Sequence, residues 1–417
     1  MPLRLITARE RLVLIKDTKM PLNTQLTYAG LGRRVKQHVT SQSQEFFAVC
    51  APGFEDILAQ EIAGLNGAAS IKATEGGVSF EGPFELVYAS NLKLNTATRI
   101  LMRIATFTVR SYPELFDKVS RVAWERYLGF GPAVGIEVTA KESRLHHDGH
   151  IAATVYDAIE KNLAKVGVRM KERVNAALRV FVRVHDDECT LSIDSSGETL
   201  HKRGYREAVA KAPLRETTAA ALLVVCDFKK YPIIADPMCG SGTFVIEAAR
   251  MARGIVPGSD RRFAFEAWPS FGEATWNHIR KKTTTEATKA KISFYASDQS
   301  VAAVTACKAN AERAGVVADT IIEKADCREF NAGSTFTAKG IIIANLPYGK
   351  RSNPDDALDK LYAALGDRLR GSCKGWRYGF VVAEHALERC LKLRSDKVIS
   401  FVNGGIPVRF ITGVVPE

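Results

Sequence analysis

At 417 residues the chain exceeds the usual single-domain size, and two or three hydrophobic cores are expected. Its 46% hydrophobic and 25% charged residues exclude wholesale disorder, and no uninterrupted apolar run is long enough to span a membrane. Lysine plus arginine outnumber aspartate plus glutamate by 58 to 46, a net charge of +12 that favours a polyanionic partner without naming it.

The apolar start of the chain is interrupted by Arg4, Arg9, Glu10 and Arg11, so no secretory signal is read there. Residues 1–44 carry a basic excess opposed only by Glu10 and Asp17, and are expected to form a basic extension, either flexible or an arm that grasps RNA. The cysteines are scattered without a CxxC pair, which suits a reducing cytoplasm and gives no metal site.

From Phe46, FFAVCAPGFEDILAQEIAGL reads as a strand, a Pro52-Gly53 turn and a helix. GGVSFEG, FELVYASNLKL and RILMRIATFTV continue as strand, helix and strand, which predicts a β-α-β-α-β α+β module over 45–108. Residues 109–195 read as helix, strand, helix and two strands, the last pair turning at Asp186-Asp187. A basic linker over 196–216 follows.

Over 217–417 the runs IIADPM, ISFYASD, TIIEKAD, GIIIAN and YGFVVAE lack alternation, as in parallel strands covered by helices on both faces. KVISFVNGGIPVRFITGVV should add an antiparallel hairpin to that sheet. An insertion with Trp268, Phe271 and Trp276 either shapes a substrate mouth or, as the better account, forms a hydrophobic satellite cluster.

The chemistry starts at IIADPMCGSGTFVIEAARMA, a buried strand ending in Asp236, a tight loop at Gly240-Ser241-Gly242, and a helix from Thr243. Such glycines allow a ligand near the backbone, and an acid beside the loop suits a cationic ligand better than a pyrophosphate. Asp298 and Asp326 stand where the next two strands should end, so the three carboxylates are expected at one crevice, facing ribose hydroxyls and an adenine amine.

In GIIIANLPYGK, Asn345, Leu346, Pro347 and Tyr348 follow a buried strand. An aromatic amine is a poor nucleophile until acceptors hold its hydrogens and let the nitrogen pyramidalise. The Asn345 side-chain oxygen and the Leu346 carbonyl could serve, with Pro347 fixing the turn and Tyr348 offering a face to a flipped base.

In this order, DPMCGSGTFVIEAA, SDQ, KADC and NLPYG resemble S-adenosylmethionine-dependent methyltransferases that modify exocyclic amines, and more closely the THUMP-domain RNA guanine-N2 methyltransferases. FFAVCAPGFEDILAQEI is similar to that family's ferredoxin-like module, and SRLHHDGHIAATVYDAIE with SGETLHKRGYR is similar to its THUMP domain and exit linker. The resemblance implies α/β architecture: a Rossmann-like methyltransferase domain behind α+β ferredoxin-like and THUMP modules.

It further implies S-adenosyl-L-methionine as cofactor, held by Asp236, Met238, Cys239, Gly240, Ser241, Gly242 and Thr243, by Asp298 with Gln299, and by Asp326 with Cys327. Arg215 and Glu216, in APLRETTAAALL after Pro213, resemble a motif that closes over the cofactor. The family most often has proline where Leu346 stands, but leucine keeps the carbonyl.

His201, Lys202, Arg203, Tyr205 and Arg206 in LHKRGYR are expected to touch RNA. His146, His147 and His150 are read as a helix entry rather than a metal site. The expectation is a cytoplasmic monomer, without membrane or metal, acting on ribosomal or transfer RNA. Adenine-N6 methylation, a non-catalytic RNA-binding role and methylation of a protein glutamine are the rivals.

Overall fold

The structure, a computed structural model, describes residues 27–130, 133–170, 176, 178–207, 214–285, 292–332, 336–348 and 355–417. In chain order the first elements are α1 (Tyr28–Val35), β1 (Gln44–Val49), α2 (Glu55–Ala63), β2 (Ala69–Thr74), β3 (Gly77–Gly82), α3 (Leu86–Lys93) and β4 (Arg99–Thr108). There follow α4 (Tyr112–Ser120), α5 (Glu125–Leu128), β5 (Val134–Lys141), α6 (Asp148–Lys165), β6 (Leu178–His185) and β7 (Glu188–Asp194).

The last part holds α7 (Glu216–Val225), β8 (Ile233–Asp236), α8 (Thr243–Arg253), α9 (Glu273–Thr285), β9 (Ser293–Asp298), α10 (Val301–Arg313) and β10 (Thr320–Lys324). It closes with β11 (Ile341–Asn345), α11 (Asp355–Ser372), β12 (Arg377–Val382), α12 (His385–Cys390), β13 (Lys397–Asn403) and β14 (Ile406–Val414).

The chain divides into two compact units. One holds the described residues up to Gln44, Met102–Gly197 and Ala264–Phe271; the other holds Glu45–Leu101, Glu198–Phe263 and Gly272–Glu417.

In the first unit, Thr27 caps α1 by accepting a hydrogen bond from the Gly30 amide at 3.0 Å, and Leu31 and Val35 are buried. Arg34 pairs with Glu125 at 3.0 Å. Residues 28–35 of the expected extension are therefore a packed helix, whereas residues 1–26 lie outside the described residues. The strand β6 runs parallel to β5 and antiparallel to β7, and buries Val180, Val182 and Val184 on one face. Asp186 and Asp187 make the expected turn at φ of 50° and 60°.

The second unit begins with β-α-β-β-α-β rather than the β-α-β-α-β expected. The missed strand, β2, is almost wholly exposed and so lacks the inward apolar alternation that marks a strand in sequence. Its neighbour α2 places Glu61 where the carboxylate accepts the Asn95 and Thr96 amides at 3.1 and 2.9 Å.

The seven-stranded sheet of this unit runs β10-β9-β8-β11-β12-β14-β13. It is parallel from β10 to β12, and β14 returns antiparallel against both β12 and β13. Helical cover buries β8 throughout and β11 except at Asn345, as their unbroken apolar runs require. The strand β10 departs from that expectation: it is the sheet edge, with Ile321 53% exposed.

The ferredoxin-like segment packs on this sheet domain. The Phe54 and Phe401 rings meet edge to face with centroids 5.5 Å apart, and the Tyr88 hydroxyl accepts the Gly272 amide at 2.8 Å. Trp276 is buried with its ring 5.8 Å from that of Tyr88, so it belongs to an apolar cluster and not to a mouth. Trp268, in the other unit, is likewise buried.

Candidate active site

Following the chain from β8, the sheet grows through β9 and β10 to one side, then returns to place β11 and β12 on the other. The reversal makes a topological switch point at the carboxyl ends of β8 and β11, where Asp236 and Asn345 end their strands and where such sheets bind ligands.

Asp236 is 2% exposed, and its carboxylate accepts the Met238 amide at 3.0 Å. Burial pushes its carboxyl well above the usual carboxylate range, and the charge of Asp298 adds to the effect. Among the described residues no ion pair reaches it.

Asp298 accepts the Gly240 amide at 3.0 Å and the Ser300 amide at 2.9 Å, while the Cys239 amide donates to the Ser297 carbonyl at 2.9 Å. The glycine loop is thus stitched to the end of β9. Gly240 and Gly242 adopt φ of 53° and 89°, a region that favours glycine. At Gly242 the neighbour is protein: an added Cβ would lie 2.6 Å from the Cys307 sulfur on α10, so helix packing demands that glycine. The Ser241 carbonyl accepts the Asn310 amide group at 3.0 Å, and Thr243 opens α8 and accepts a hydrogen bond from Arg206.

Gln299 is exposed next to Asp298. Asp326 caps the short turn Cys327–Glu329, accepting the Arg328 amide at 2.9 Å, and the Arg328 side chain holds its carboxyl below the usual range. An adenine amine at Asp326 would compete with that exposed and weak pair. Burial pushes the Cys327 thiol up to about 12, which makes it packing rather than a nucleophile. Arg215 is exposed, whereas Glu216 is buried 3.2 Å from Arg206; burial pushes its carboxyl up to about 7 against the pull of that arginine.

At the tip of β11 the Asn345 Oδ1 is buried with no hydrogen-bond partner. A buried acceptor left unpaired costs on the order of 1–3 kcal/mol, which a ligand hydrogen bond would relieve. The Leu346 amide donates to the Val381 carbonyl at 3.2 Å, and the Leu346 side chain is buried. Tyr348 does not present an open face: it is 8% exposed within the apolar core, and its hydroxyl accepts the Asn403 side-chain amide at 2.7 Å. The expectation that it stacks on a base is corrected by this packing.

These residues suit S-adenosylmethionine. Asp236, buried and without an ion-pair partner among the described residues, fits a cationic ligand, and the exposed Gln299 with Asp298 offers hydrogen-bonding groups at the same end of the sheet. When bound, that group supplies an electrophilic methyl on a sulfonium.

Known proteins point the same way. Residues 203–410 match the RMKL-like methyltransferase domain family, residues 45–101 the RlmL ferredoxin-like domain, and residues 109–194 the THUMP domain. The chain is 31% identical over 375 residues to "Putative RNA methyltransferase slr0064" of Synechocystis sp., covering 88% of this chain and 96% of that protein. It belongs to the THUMP-domain S-adenosylmethionine-dependent RNA methyltransferases.

Within this family it is 33% identical to the ribosomal RNA large subunit methyltransferase K/L of Pseudomonas paraeruginosa over 88% of its own length. It spans about half, 54%, of that relative. A solved structure described as "Crystal structure of SMU.472, a putative methyltransferase complexed with SAH" superposes with a TM-score of 0.81 at 29% identity, covering 90% of this chain and 99% of that one.

In this family member the residues expected to grip RNA in LHKRGYR are mostly interior. Arg203 is 1% exposed, pairs with Glu247 at 3.3 Å and donates to the Leu200 and Asn95 carbonyls. The buried Tyr205 donates to Glu247 at 2.9 Å, and Arg206 is committed to Glu216 and Thr243. Burial lowers the His201 imidazole to about 4, so it is neutral at pH 7 and offers no charge to a phosphate. Only Lys202 of the five is exposed, beside Glu198 at 3.0 Å. The RNA-contact reading of Arg203, Tyr205, Arg206 and His201 is therefore corrected: the first three bind the segment to α7 and α8, and His201 is half-buried and uncharged.

Pro213 lies outside the described residues. His146, His147 and His150 are exposed, the first two ring to ring and His150 stacked on Tyr112. Among the described residues the trio with ligand atoms within 4.8 Å of one another is Glu142, His185 and Asp186, which does not include them.

Proposed function

We propose that the chain methylates N2 of a guanosine turned out of structured RNA, with S-adenosylmethionine as donor. The observation that carries the reading is the unpartnered, buried Asn345 Oδ1 at the tip of β11, beside the strand that ends in Asp236. With the Leu346 carbonyl it can accept both hydrogens of an exocyclic amine and leave the nitrogen lone pair free to attack. No strong base is needed, because the amine loses its proton after it gains the methyl.

The division of labour follows the domain reading: a ferredoxin-like module over 45–108, a THUMP module over 109–195 that holds the RNA, and catalysis over 217–417. Names of relatives such as the ribosomal RNA large subunit methyltransferases K/L favour ribosomal RNA, with transfer RNA as the other substrate class. We read the protein as a cytoplasmic monomer that needs no metal. Among the described residues no helix is long and apolar enough to cross a membrane, and the eight free cysteines suit a reducing compartment.

Incubation with structured RNA and labelled cofactor, followed by nucleoside mass spectrometry, should yield N2-methylguanosine; N6-methyladenosine would establish the adenine reading instead. Asn345→Ala should leave cofactor binding within about twofold and lower turnover by about a hundredfold or more. Unchanged turnover would remove Asn345 from the mechanism.

A further inference from the structure

The Asn-Leu-Pro-Tyr segment is held at successive points by parts of the chain distant in sequence. The Leu346 amide donates to the Val381 carbonyl on β12 at 3.2 Å. The Pro347 carbonyl accepts the hydroxyl of Tyr362, a buried residue on α11, at 3.1 Å. The Tyr348 hydroxyl accepts the side-chain amide of Asn403, the last residue of β13, at 2.7 Å, and both side chains are buried.

The peptide plane that carries the Leu346 carbonyl lies between the first two anchors, and the ring of Pro347 fixes the φ that follows it. Tyr348 is the third anchor. Its ring is packed in the core cluster that contains Phe401 and Val408 from the β13–β14 hairpin. Every one of these bonds is spent on the protein itself, while Asn345 Oδ1, at the start of the segment, keeps no partner. The arrangement is that of a preorganised acceptor pair, whose contribution depends on its being held before the amine arrives.

We propose that Asn403 is a positioning residue for methyl transfer: by binding the Tyr348 hydroxyl it holds Asn345 and the Leu346 carbonyl in the geometry that receives the nucleobase amine. Tyr348 then acts as an anchor through its hydroxyl rather than as a stacking platform through its ring. The inference rests on the function proposed above and deepens it, since it assigns part of the catalytic geometry to the last hairpin of the sheet. A purely structural account, in which Asn403 only enters the Gly404-Gly405 turn, gives the Tyr348 hydroxyl no role.

The test compares Tyr348→Phe, Asn403→Ala and the double variant with wild type and Asn345→Ala. It measures cofactor affinity by calorimetry, melting temperature, and kcat and KM on RNA that the wild type methylates. Tyr348→Phe keeps the ring and the hairpin intact and removes only the hydroxyl. We expect each single variant to lose about tenfold in kcat, with cofactor affinity and the KM for RNA within about twofold of wild type. The double variant should lose no more than Tyr348→Phe alone, because the bond that Asn403→Ala removes is already lost with the hydroxyl.

Full turnover of Tyr348→Phe would overturn the inference, as would losses that multiply in the double variant. If Asn345→Ala abolishes transfer while Tyr348→Phe and Asn403→Ala do not matter, only the positioning role fails. A wild-type protein that methylates no RNA base would overturn the function beneath it and the inference together.

Discussion

The guanidinium of Arg203 lies 3.3 Å from the carboxylate of Glu247, with side chains 1% and 2% exposed. The pair joins the segment that precedes α7 to α8, the helix that follows the glycine loop. Tyr205 donates to the same carboxylate at 2.9 Å, so the two charges share a buried hydrogen-bond network instead of facing solvent.

Arg203→Ala should therefore cost stability and not merely RNA affinity. It strands the Glu247 charge in the interior, where breaking a buried pair typically costs about 3–5 kcal/mol. Lys202→Ala, at an exposed neighbour, should stay within about 0.5 kcal/mol of wild type. Denaturant unfolding of the two variants checks the contrast, and equal stability would contradict the buried network.

Gly242→Ala meets two obstacles at once. The position has φ of 89°, and the new Cβ would lie 2.6 Å from the Cys307 sulfur. The left-handed conformation costs about 1–2 kcal/mol and the overlap roughly as much again. In a Cys307→Ala background the overlap is relieved but the backbone cost stays, so the double-mutant cycle should show a coupling of about 1 kcal/mol or more. Additive losses would show that the sulfur does not set the glycine requirement.

Glu216 makes stability fall with rising pH. Its carboxyl is raised to about 7 by burial, with Arg206 opposing and Glu247 reinforcing the shift, whereas in the unfolded chain it titrates near its ordinary value of 4.5. Between those values the folded state holds the extra proton, so stability is highest below about 4.5 and is lost as pH rises to about 7. Asp236, raised by burial, acts in the same direction. Glu216→Gln should flatten this part of the stability profile by a few kcal/mol, on the order of the conversion of pKa to free energy. Calorimetric melting from pH 4.5 to 7.5 reads the difference, and an unchanged slope would assign it elsewhere.

Phe54→Ala should destabilise the sheet domain although Phe54 belongs to the ferredoxin-like segment. Its ring is buried edge to face against Phe401, and such truncations cost about 3–5 kcal/mol. A cycle with Phe401→Ala should show coupling of about 0.5–1.5 kcal/mol, measured by denaturant unfolding.

The strand pattern after Ile233 was legible because each strand of a parallel sheet is a short apolar run, and the residue that ends it points to the functional end of the sheet. Asp236, Asp298 and Asn345 could be put at one end of the sheet from that rule alone. The strand β2 was not legible, since an exposed edge strand such as ASIKAT lacks an inward-facing apolar set. The edge position of β10 was hidden for a different reason: its isoleucines look like core until the sheet order leaves it with β9 on one side and no strand on the other.

Sequence by itself determined the order of modules, the glycine loop, the series of strand-end acids and the Asn-Leu-Pro-Tyr segment, because each is written in residues close together in the chain. Tertiary structure alone decided that Arg203 and Tyr205 face Glu247 rather than RNA, that Gly242 answers to Cys307, and that the Tyr348 hydroxyl belongs to Asn403. A basic or aromatic side chain acts on solvent or on the interior according to what folds over it, and those partners lie scores of residues away, where local pattern carries no trace of them.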